Sequence, residues 1–396
     1  MLKTKEMPAL TGLRVSGSRC QVAVLWIDWY AYHLSRFQVL CEHPELAGAV
    51  AGLEMVGGTG VHTGLKFREE IPESMPVTTI FPNNDWGRIS KWKLASAIWK
   101  HLNQLNPSAV LVPGYYNVPA LAAALWSKLK RRRTILMTES TEADHRRIWW
   151  RELLKQTLVL SLFDWAIAGG KAHRRYLEKL GFCPERIARF YDIVDNNFFR
   201  NRAQADRLRY RAHDFGLPDR FFLFVGRLAE EKNVEGLLTA YLNYRHSGGT
   251  KSLVLVGRGP LEARLRQMAS ESDFAADIYF EGLRNSQQLS PYYAFADCFI
   301  LPSTREPWGL VVNEAMAAGL PVLVSKACGC AEDLVSDSEN GFLFDPANLR
   351  ELADRLHAAE NLSAGELRAM GRRSSEIISH YSPEAWAGEV ARIARA

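Results

Sequence analysis

Residues 305–325 read REPWGLVVNEAMAAGLPVLVS, and this stretch decides the architecture. Two carboxylates, Glu306 and Glu314, stand eight positions apart in it. Eight residues at roughly 100° each end about 80° past two full turns, so the pair cannot share one helix face. The stretch divides instead into a loop carrying Glu306, a helix that carries Glu314 one turn in, and an apolar strand, PVLVS. A second apolar strand, CFILPS, precedes the loop. The backbone N–H groups of Trp308, Gly309 and Leu310 then point outward at the helix start, where an anion is favoured. Hydroxyl acceptors flanking an anion site suit a sugar nucleotide. Isolated carboxylates are ordinarily solvated, so the weight of this reading comes from what surrounds them.

The same rhythm extends in both directions. Toward the C-terminus of the chain, apolar runs FFLFVG, SLVLVG, DIYFEG, CFILPS, PVLVS and GFLF alternate with amphipathic stretches. The first half repeats the pattern with QVAVLWI, AGLEMV, AVLVP, TILMT and WAIAG, followed by helical segments such as VPALAAALWSKLKRR and KAHRRYLEKLG. Strands alternating with helices indicate parallel α/β structure, and uninterrupted apolar strands indicate sheets covered on both faces. Between the halves, NRAQADRLRYRAHDFGLPDR is charged and holds no apolar strand. A domain boundary is expected there, near residue 205. SPEAWAGEVARIARA reads as a terminal helix.

Ligands of open α/β sheets bind beyond the carboxyl ends of the strands. Three turns of the second half lie there: Gly226-Arg227 with Lys232 following, Gly257-Arg258-Gly259-Pro260, and Glu306 to Leu310. One site could collect all three.

Composition sets the outer limits. The chain has 396 residues, 47% apolar and 23% charged, values of a globular protein too long for one ordinary core. The first 20 residues lack the apolar centre of a signal peptide, and the longest apolar stretch is broken by Lys155 and Asp164, so no membrane span is expected. Six cysteines are scattered, and Cys328-Gly329-Cys330 is too tight for an ordinary disulfide and holds half the ligands of a zinc site. A reducing, cytoplasmic setting is expected. Residues 1–200 hold 27 Lys/Arg against 18 Asp/Glu, a balance of +9, whereas residues 201–396 hold 22 against 26, a balance of −4. The basic half should attract anionic surfaces or acceptors. Its runs KLKRRR (128–133) and HRRIWWRELLK (145–155) interleave cations with Trp and Leu, which suits the anionic inner face of a membrane. A solvated helix face with buried tryptophans is the plainer reading of the same runs. No motif supports nucleic-acid binding.

With these turns in place, the second half resembles the nucleotide-sugar-binding domain of family-4 retaining glycosyltransferases (glycosyl transferases group 1, GT-B fold). The likeness runs in order through FVGRLAEEKN, LVGRGPLEARL, IYFEGLRNSQQLSPYYAFADCFILPS, EPWGLVVNEAMAAGLPVLVS and NGFLFDPANLRELADRL. DIVDNNFF is similar to the segment closing the family's N-terminal domain, with Asp195 at its acidic position. The resemblance implies two Rossmann-like domains with parallel sheets facing across a central cleft. They would comprise an acceptor-side domain over 1–205, a nucleotide-sugar domain over 206–378, and a terminal helix over 379–396 packing back toward the first.

It also implies site roles. Arg227 and Lys232, with Gly226, match the cationic turn at the donor diphosphate, where preorganised charge meets the charge that develops on the leaving group. Glu306 matches the residue that holds hydroxyls of the transferred sugar, Gly309 and Leu310 supply N–H donors, and Glu314 accepts from the ribose. Arg258 and Leu283 match positions flanking the base. Trp308 is read two ways, as packing on the sugar or as a core anchor. Catalysis would rest on Glu306, Arg227 and Lys232.

The first half departs from the pattern. Many members carry a glycine-rich turn after the first strand; this chain has Asp28-Trp29-Tyr30-Ala31-Tyr32-His33. Where many place a histidine after the strand TILMT, it has Glu139 and Ser140, with His145 further on. His33, Glu139 and His145 are the acceptor-side candidates.

The resemblance implies transfer from a nucleoside-diphosphate sugar, UDP or GDP, to a hydroxyl of a glycan, lipid-linked or small-molecule acceptor. Departure and attack share one face, the leaving phosphate helps deprotonate the acceptor, and domain closure expels water. A pair of glycosidase-type carboxylates is not needed. No cofactor is expected, and no metal, since Arg227, Lys232 and a helix terminus face the diphosphate. The alternatives are a GT-B epimerase or phosphorylase and a non-catalytic sugar-nucleotide-binding protein. A dinucleotide oxidoreductase lacks its GxGxxG turn.

Overall fold

The computed structural model describes residues 20–58, 70–142 and 149–396. His145 lies outside them.

The first sheet has seven strands: β1 (Val22–Trp26), β2 (Val50–Val56), β3 (Val77–Phe81), β4 (Ala109–Pro113), β5 (Arg133–Thr138), β6 (Trp165–Ala168) and β7 (Ile187–Ala188). Their order is β3-β2-β1-β4-β5-β6-β7, and β1 to β5 pair in parallel. The helices among them are α1 (Ala31–Glu42), α2 (Lys91–Leu105), α3 (Val118–Leu129), α4 (Trp149–Leu162) and α5 (Lys171–Lys179). β1 and β4 are buried throughout, as strands covered on both faces must be. Glu54 is fully buried within β2, where it accepts from the Trp29 amide at 3.1 Å and the Thr79 hydroxyl at 2.5 Å. That pairing makes a carboxylate tolerable in the sheet.

The second sheet has six: β8 (Phe221–Val225), β9 (Ser252–Val256), β10 (Ile278–Gly282), β11 (Cys298–Leu301), β12 (Val322–Ser325) and β13 (Gly341–Phe344). The order is β10-β9-β8-β11-β12-β13, all in parallel. The chain reaches it through α6 (Asn196–Arg209) and interposes α7 (Val234–His246), α8 (Glu262–Ser270), α9 (Ser290–Phe295), α10 (Leu310–Ala317) and α11 (Ala331–Leu334). α12 (Leu349–Glu360), α13 (Ala364–Ser379) and α14 (Pro383–Arg395) follow. The strand order reverses between β8 and β11, which makes the mouth of those two strands the switch point where such sheets take ligands.

By compactness the described residues form two units. One takes those up to Thr138, Leu154–Ile167 and Ala387–Ala396; the other takes Glu139–Leu153 and Ala168–Trp386. A single cut near residue 205 does not describe this division. Residue 205 falls inside α6, whose charged sequence is the outer face of a helix, not a linker. Arg207 on that helix is drawn inward, donating to the Ala294 and Ala318 carbonyls at 2.7 and 2.9 Å. In the first unit Arg133 donates to the carbonyls of Ile393 and Ala394 at 2.9 and 2.8 Å. Cations at the end of a helix satisfy its last carbonyls.

Candidate functional site

The three turns singled out in the sequence meet at the carboxyl ends of β8, β9 and β11. Gly257 is held at φ +143°, and a Cβ there would stand 1.9 Å from the Gly226 carbonyl oxygen. Only glycine permits that approach. Beyond it the Leu228 amide donates to the Arg258 carbonyl and the Leu261 amide to the Leu228 carbonyl, each at 3.0 Å. From the other side the Thr304 amide donates to the Glu231 carbonyl at 3.0 Å. The loop after β8 is therefore laced to both neighbours.

Side chains follow the backbone. The Lys232 ammonium is bonded to the Glu306 carboxylate, which also accepts from the Ser303 hydroxyl at 3.2 Å. Arg227 is exposed and bonded to Glu231, and that guanidinium holds the Glu231 carboxyl below its ordinary range. Arg258 is exposed, beside Gly282 at the end of β10, and Leu283 next to it is half-buried.

The Glu306 loop is fastened along its length. The Gly329 amide donates to the Glu306 carbonyl at 2.9 Å and the Cys330 amide to the Trp308 carbonyl at 3.2 Å. A Cβ on Gly329 would stand 1.7 Å from the Pro307 oxygen. The Cys-Gly-Cys triplet thus works as a backbone clasp. Burial pushes both thiols up, which keeps them neutral beside Glu306. The Pro307 carbonyl also receives His173 Nε2 at 2.9 Å, while His173 Nδ1 accepts from the Gly170 amide at 3.1 Å. Those partners assign the proton to Nε2.

Where the loop becomes α10, Gly309 takes φ +106°, and a Cβ there would lie 2.8 Å from Leu301 Cδ2 and 3.4 Å from Glu306 Cγ. With glycine as its cap, the helix has no side chain over its first amides, so Gly309, Leu310 and Glu306 share one corner. Glu314 sits one turn in, as its spacing indicated. It is 1% exposed and accepts from the Tyr293 hydroxyl at 2.6 Å.

Trp308 corrects one of the two sequence readings. It is 1% exposed, and its Nε1 donates to Asn313 Oδ1 at 2.9 Å, whose Nδ2 donates to the Asp192 carbonyl at 3.0 Å. Its ring occupies the space left by Gly170, where a Cβ would stand 2.6 Å away. An indole enclosed in this way is an anchor for the loop and cannot offer a face to a sugar.

His33 belongs to the first unit, where it stacks on Trp26 with ring centroids 4.5 Å apart and accepts from the Tyr30 amide at 3.2 Å. This is the capping and packing role of a histidine at the third position of a helix. Glu139 is exposed just after β5. Sequence reasoning missed His173, Gly329 and Asn233, which at φ +52° turns the chain after Lys232 and donates to the Pro302 and Pro346 carbonyls. The Gly-Gly pair before His173, at the end of an apolar strand, was the available signal.

Residues 210–376 match the family model described as glycosyl transferases group 1. The GDP-mannose-dependent alpha-mannosyltransferase of Mycobacterium tuberculosis is 28% identical over 283 residues, covering 68% of this chain and 64% of that one. The D-inositol 3-phosphate glycosyltransferase of Thermomonospora curvata is 33% identical over 219 residues, covering 49% and 50%. The sulfoquinovosyl transferase of Arabidopsis thaliana is 31% identical over 166 residues, covering 41% and 31%. The chain thus spans 31% to 64% of the length of these relatives. Among solved structures, HepE of Anabaena in complex with UDP and glucose superposes with a TM-score of 0.71 at 17% identity, covering 94% of this chain and 98% of that one. Sucrose-phosphate synthase from Thermosynechococcus elongatus does so with a TM-score of 0.69 at 18% identity, covering 95% and 98%. That likeness is one of fold, and two parallel-sheet Rossmann-like α/β domains are the GT-B architecture.

Proposed function

We propose that this chain is a retaining glycosyltransferase of family 4 that moves a sugar from a nucleoside-diphosphate sugar to a hydroxyl acceptor. The observation that carries the reading is the bonded pair Lys232–Glu306 beside the glycine-capped start of α10, at the switch point of the second sheet. A cation, a carboxylate and free helix amides within one corner match the three demands of the donor: charge on the diphosphate, hydroxyls on the sugar, and charge that grows as the bond breaks. Arg227 adds a fork donor to the point charge of Lys232. Arg258 and Leu283 would flank the base, and Glu314 would turn its carboxylate to the ribose from beside Tyr293. His33 and Glu139 are the acceptor-side residues within the described chain. The UDP-bound structural neighbour and the GDP-mannose-dependent relative support a uridine or guanosine donor. No metal is assigned to the reaction.

The test is thermal stability against UDP-, GDP- and ADP-sugars, with and without EDTA, followed by nucleotide release with and without acceptor hydroxyls. A donor at 100 times its dissociation constant stabilises by about 2.7 kcal/mol. Stabilisation by one donor class, unmoved by EDTA, with release that requires an acceptor, is the expected result. Release without acceptor would favour an epimerase-type reaction, and no stabilisation by any sugar nucleotide or diphosphate would remove the donor site.

A further inference from the structure

We propose that the groove between α2 and α3 is a docking surface for an anionic lipid bilayer. It lies wholly within the first unit and does not depend on the donor-site reading. The groove encloses about 870 Å³ and is lined by Trp92, Trp99, Val118, Leu121 and Leu125, with Lys100 at its edge. Trp92 and Trp99, seven residues apart, fall on one face of α2, and Val118, Leu121 and Leu125 repeat at three and four on α3. Each helix therefore presents an apolar stripe to the other, yet the seam is left open. Trp92 is 76% exposed, Leu125 46% and Leu129, one turn further on, 65%. Scattered exposed apolar residues are ordinary, but a continuous seam of them marks a surface that meets an apolar partner.

Charge selects the partner. Between Asp85 and Glu139 lie 53 residues with nine Lys/Arg and no Asp or Glu. Arg88 pairs with Asp85 and Lys128 with Asp164, while Arg132 and Arg133 are bonded to Asn106 and to the last carbonyls of α14. Lys93, Lys100, Lys130 and Arg131 form no ion pair among the described residues. An apolar seam with indoles at its rim and single-sign charge around it is complementary to a layer whose surface is anionic and whose interior is apolar. Indoles favour the headgroup level, and lysines extend their amines toward phosphates while their stems lie on apolar surface. The basic run KLKRRR contributes Lys130 and Arg131; Trp92 and Trp99 supply the apolar part from a helix the sequence reading had not connected with it.

The experiment is co-sedimentation of the full chain with vesicles of phosphatidylcholine alone and with about 30% phosphatidylglycerol. Binding to the anionic vesicles, weakened by ~0.5 M salt, is expected, with none measurable on phosphatidylcholine. Trp92→Ser with Leu125→Ser should lower the partition coefficient at least tenfold. Lys93→Gln, Lys100→Gln, Lys130→Gln and Arg131→Gln should lower it about fivefold each. All six positions are exposed, so an unchanged melting temperature shows that the fold is kept. Equal binding to both vesicle types, or variants that bind as the wild type does, would overturn the proposal. So would a dimer in solution that Trp92→Ser dissolves, which would give the groove to a second copy of this chain.

Discussion

Lys232 and Glu306, 74 residues apart in the chain, hold one another by a charged hydrogen bond at the mouth of the second sheet. Their side chains are only 20% and 11% exposed. A pair so enclosed resists the loss of either member more than it rewards the presence of both, because the survivor keeps its charge and loses its partner. The same pair brings together the cation assigned to the diphosphate and the carboxylate assigned to the sugar.

Glu306→Ala should therefore be felt twice. It leaves the Lys232 ammonium without its carboxylate, which should lower stability by about 2 kcal/mol with the fold intact. It should also lower kcat/KM at least about 100-fold, through loss of a contact that tightens as the sugar departs. Lys232→Met should match it in stability and lose diphosphate affinity besides. The double variant should be less destabilised than the sum by about 1–2 kcal/mol, since both remove one interaction. Urea denaturation and initial rates on the four proteins check this; strict additivity would mean that the pair is not formed in solution.

The Arg227–Glu231 bond makes a pH prediction. Arg227 is the first cause of a lowered Glu231 pKa. A carboxyl whose folded pKa is depressed contributes stability that is present above its unfolded value of about 4.5 and is lost as pH falls through the folded value. Stability should accordingly decline below pH 4.5, and Arg227→Gln should flatten that part of the curve. Titration of the Glu231 carboxyl by NMR gives the direct reading, moving upward in the variant. No movement would place Arg227 elsewhere in solution.

The fold was legible wherever burial leaves an unbroken apolar run. FFLFVG, SLVLVG, DIYFEG, CFILPS, PVLVS and GFLF are β8 to β13 in order, and five runs of the first half are β1, β2, β4, β5 and β6. The two strands missed are the edges of the first sheet. β3 is half-buried along its length and is interrupted by two adjacent threonines, Thr78 and Thr79, and β7 has only two residues. The edges of the second sheet, β10 and β13, were legible, so what hid these two is the pair of threonines that breaks the apolar run of β3 and the shortness of β7. In the site, the turns after β8, β9 and β11 were marked in the sequence by their place beyond apolar strands, while the roles proposed for their charged residues come from the family resemblance. What holds them was not marked. His173 reads as one histidine in a basic helix, and Gly329 as a residue between cysteines, until the fold brings Pro307 against both.

Two glycines should respond to alanine in opposite ways. Gly309 has a left-handed φ and a crowded corner, so Gly309→Ala should cost about 1–3 kcal/mol and displace Glu306. Gly388 lies inside α14 with open space where a Cβ would stand, so Gly388→Ala should stabilise by about 0.5–1 kcal/mol. Chemical denaturation of both variants compares them under one condition, and a loss of activity confined to Gly309→Ala is expected. Equal effects would mean that the backbone at Gly309 relaxes without strain.

His173 completes the support of the loop. It is fully buried, takes the Gly170 amide on one nitrogen and gives a proton to the Pro307 carbonyl from the other. Its ring lies 5.7 Å from that of Trp308. His173→Phe would keep a ring against the indole but leave the buried Gly170 amide unmet, at about 1–3 kcal/mol, and free the part-buried Pro307 carbonyl. A loss of about 1–3 kcal/mol is the expected outcome in urea. Because the freed carbonyl adjoins Glu306, the donor KM should rise by roughly tenfold, a rise of about 1.4 kcal/mol in apparent binding free energy. The acceptor KM should stay nearly constant. Denaturation curves and initial rates at varied donor separate the two effects. A variant that loses stability but keeps its donor KM would show that the Gly329–Cys330 clasp alone sets the loop.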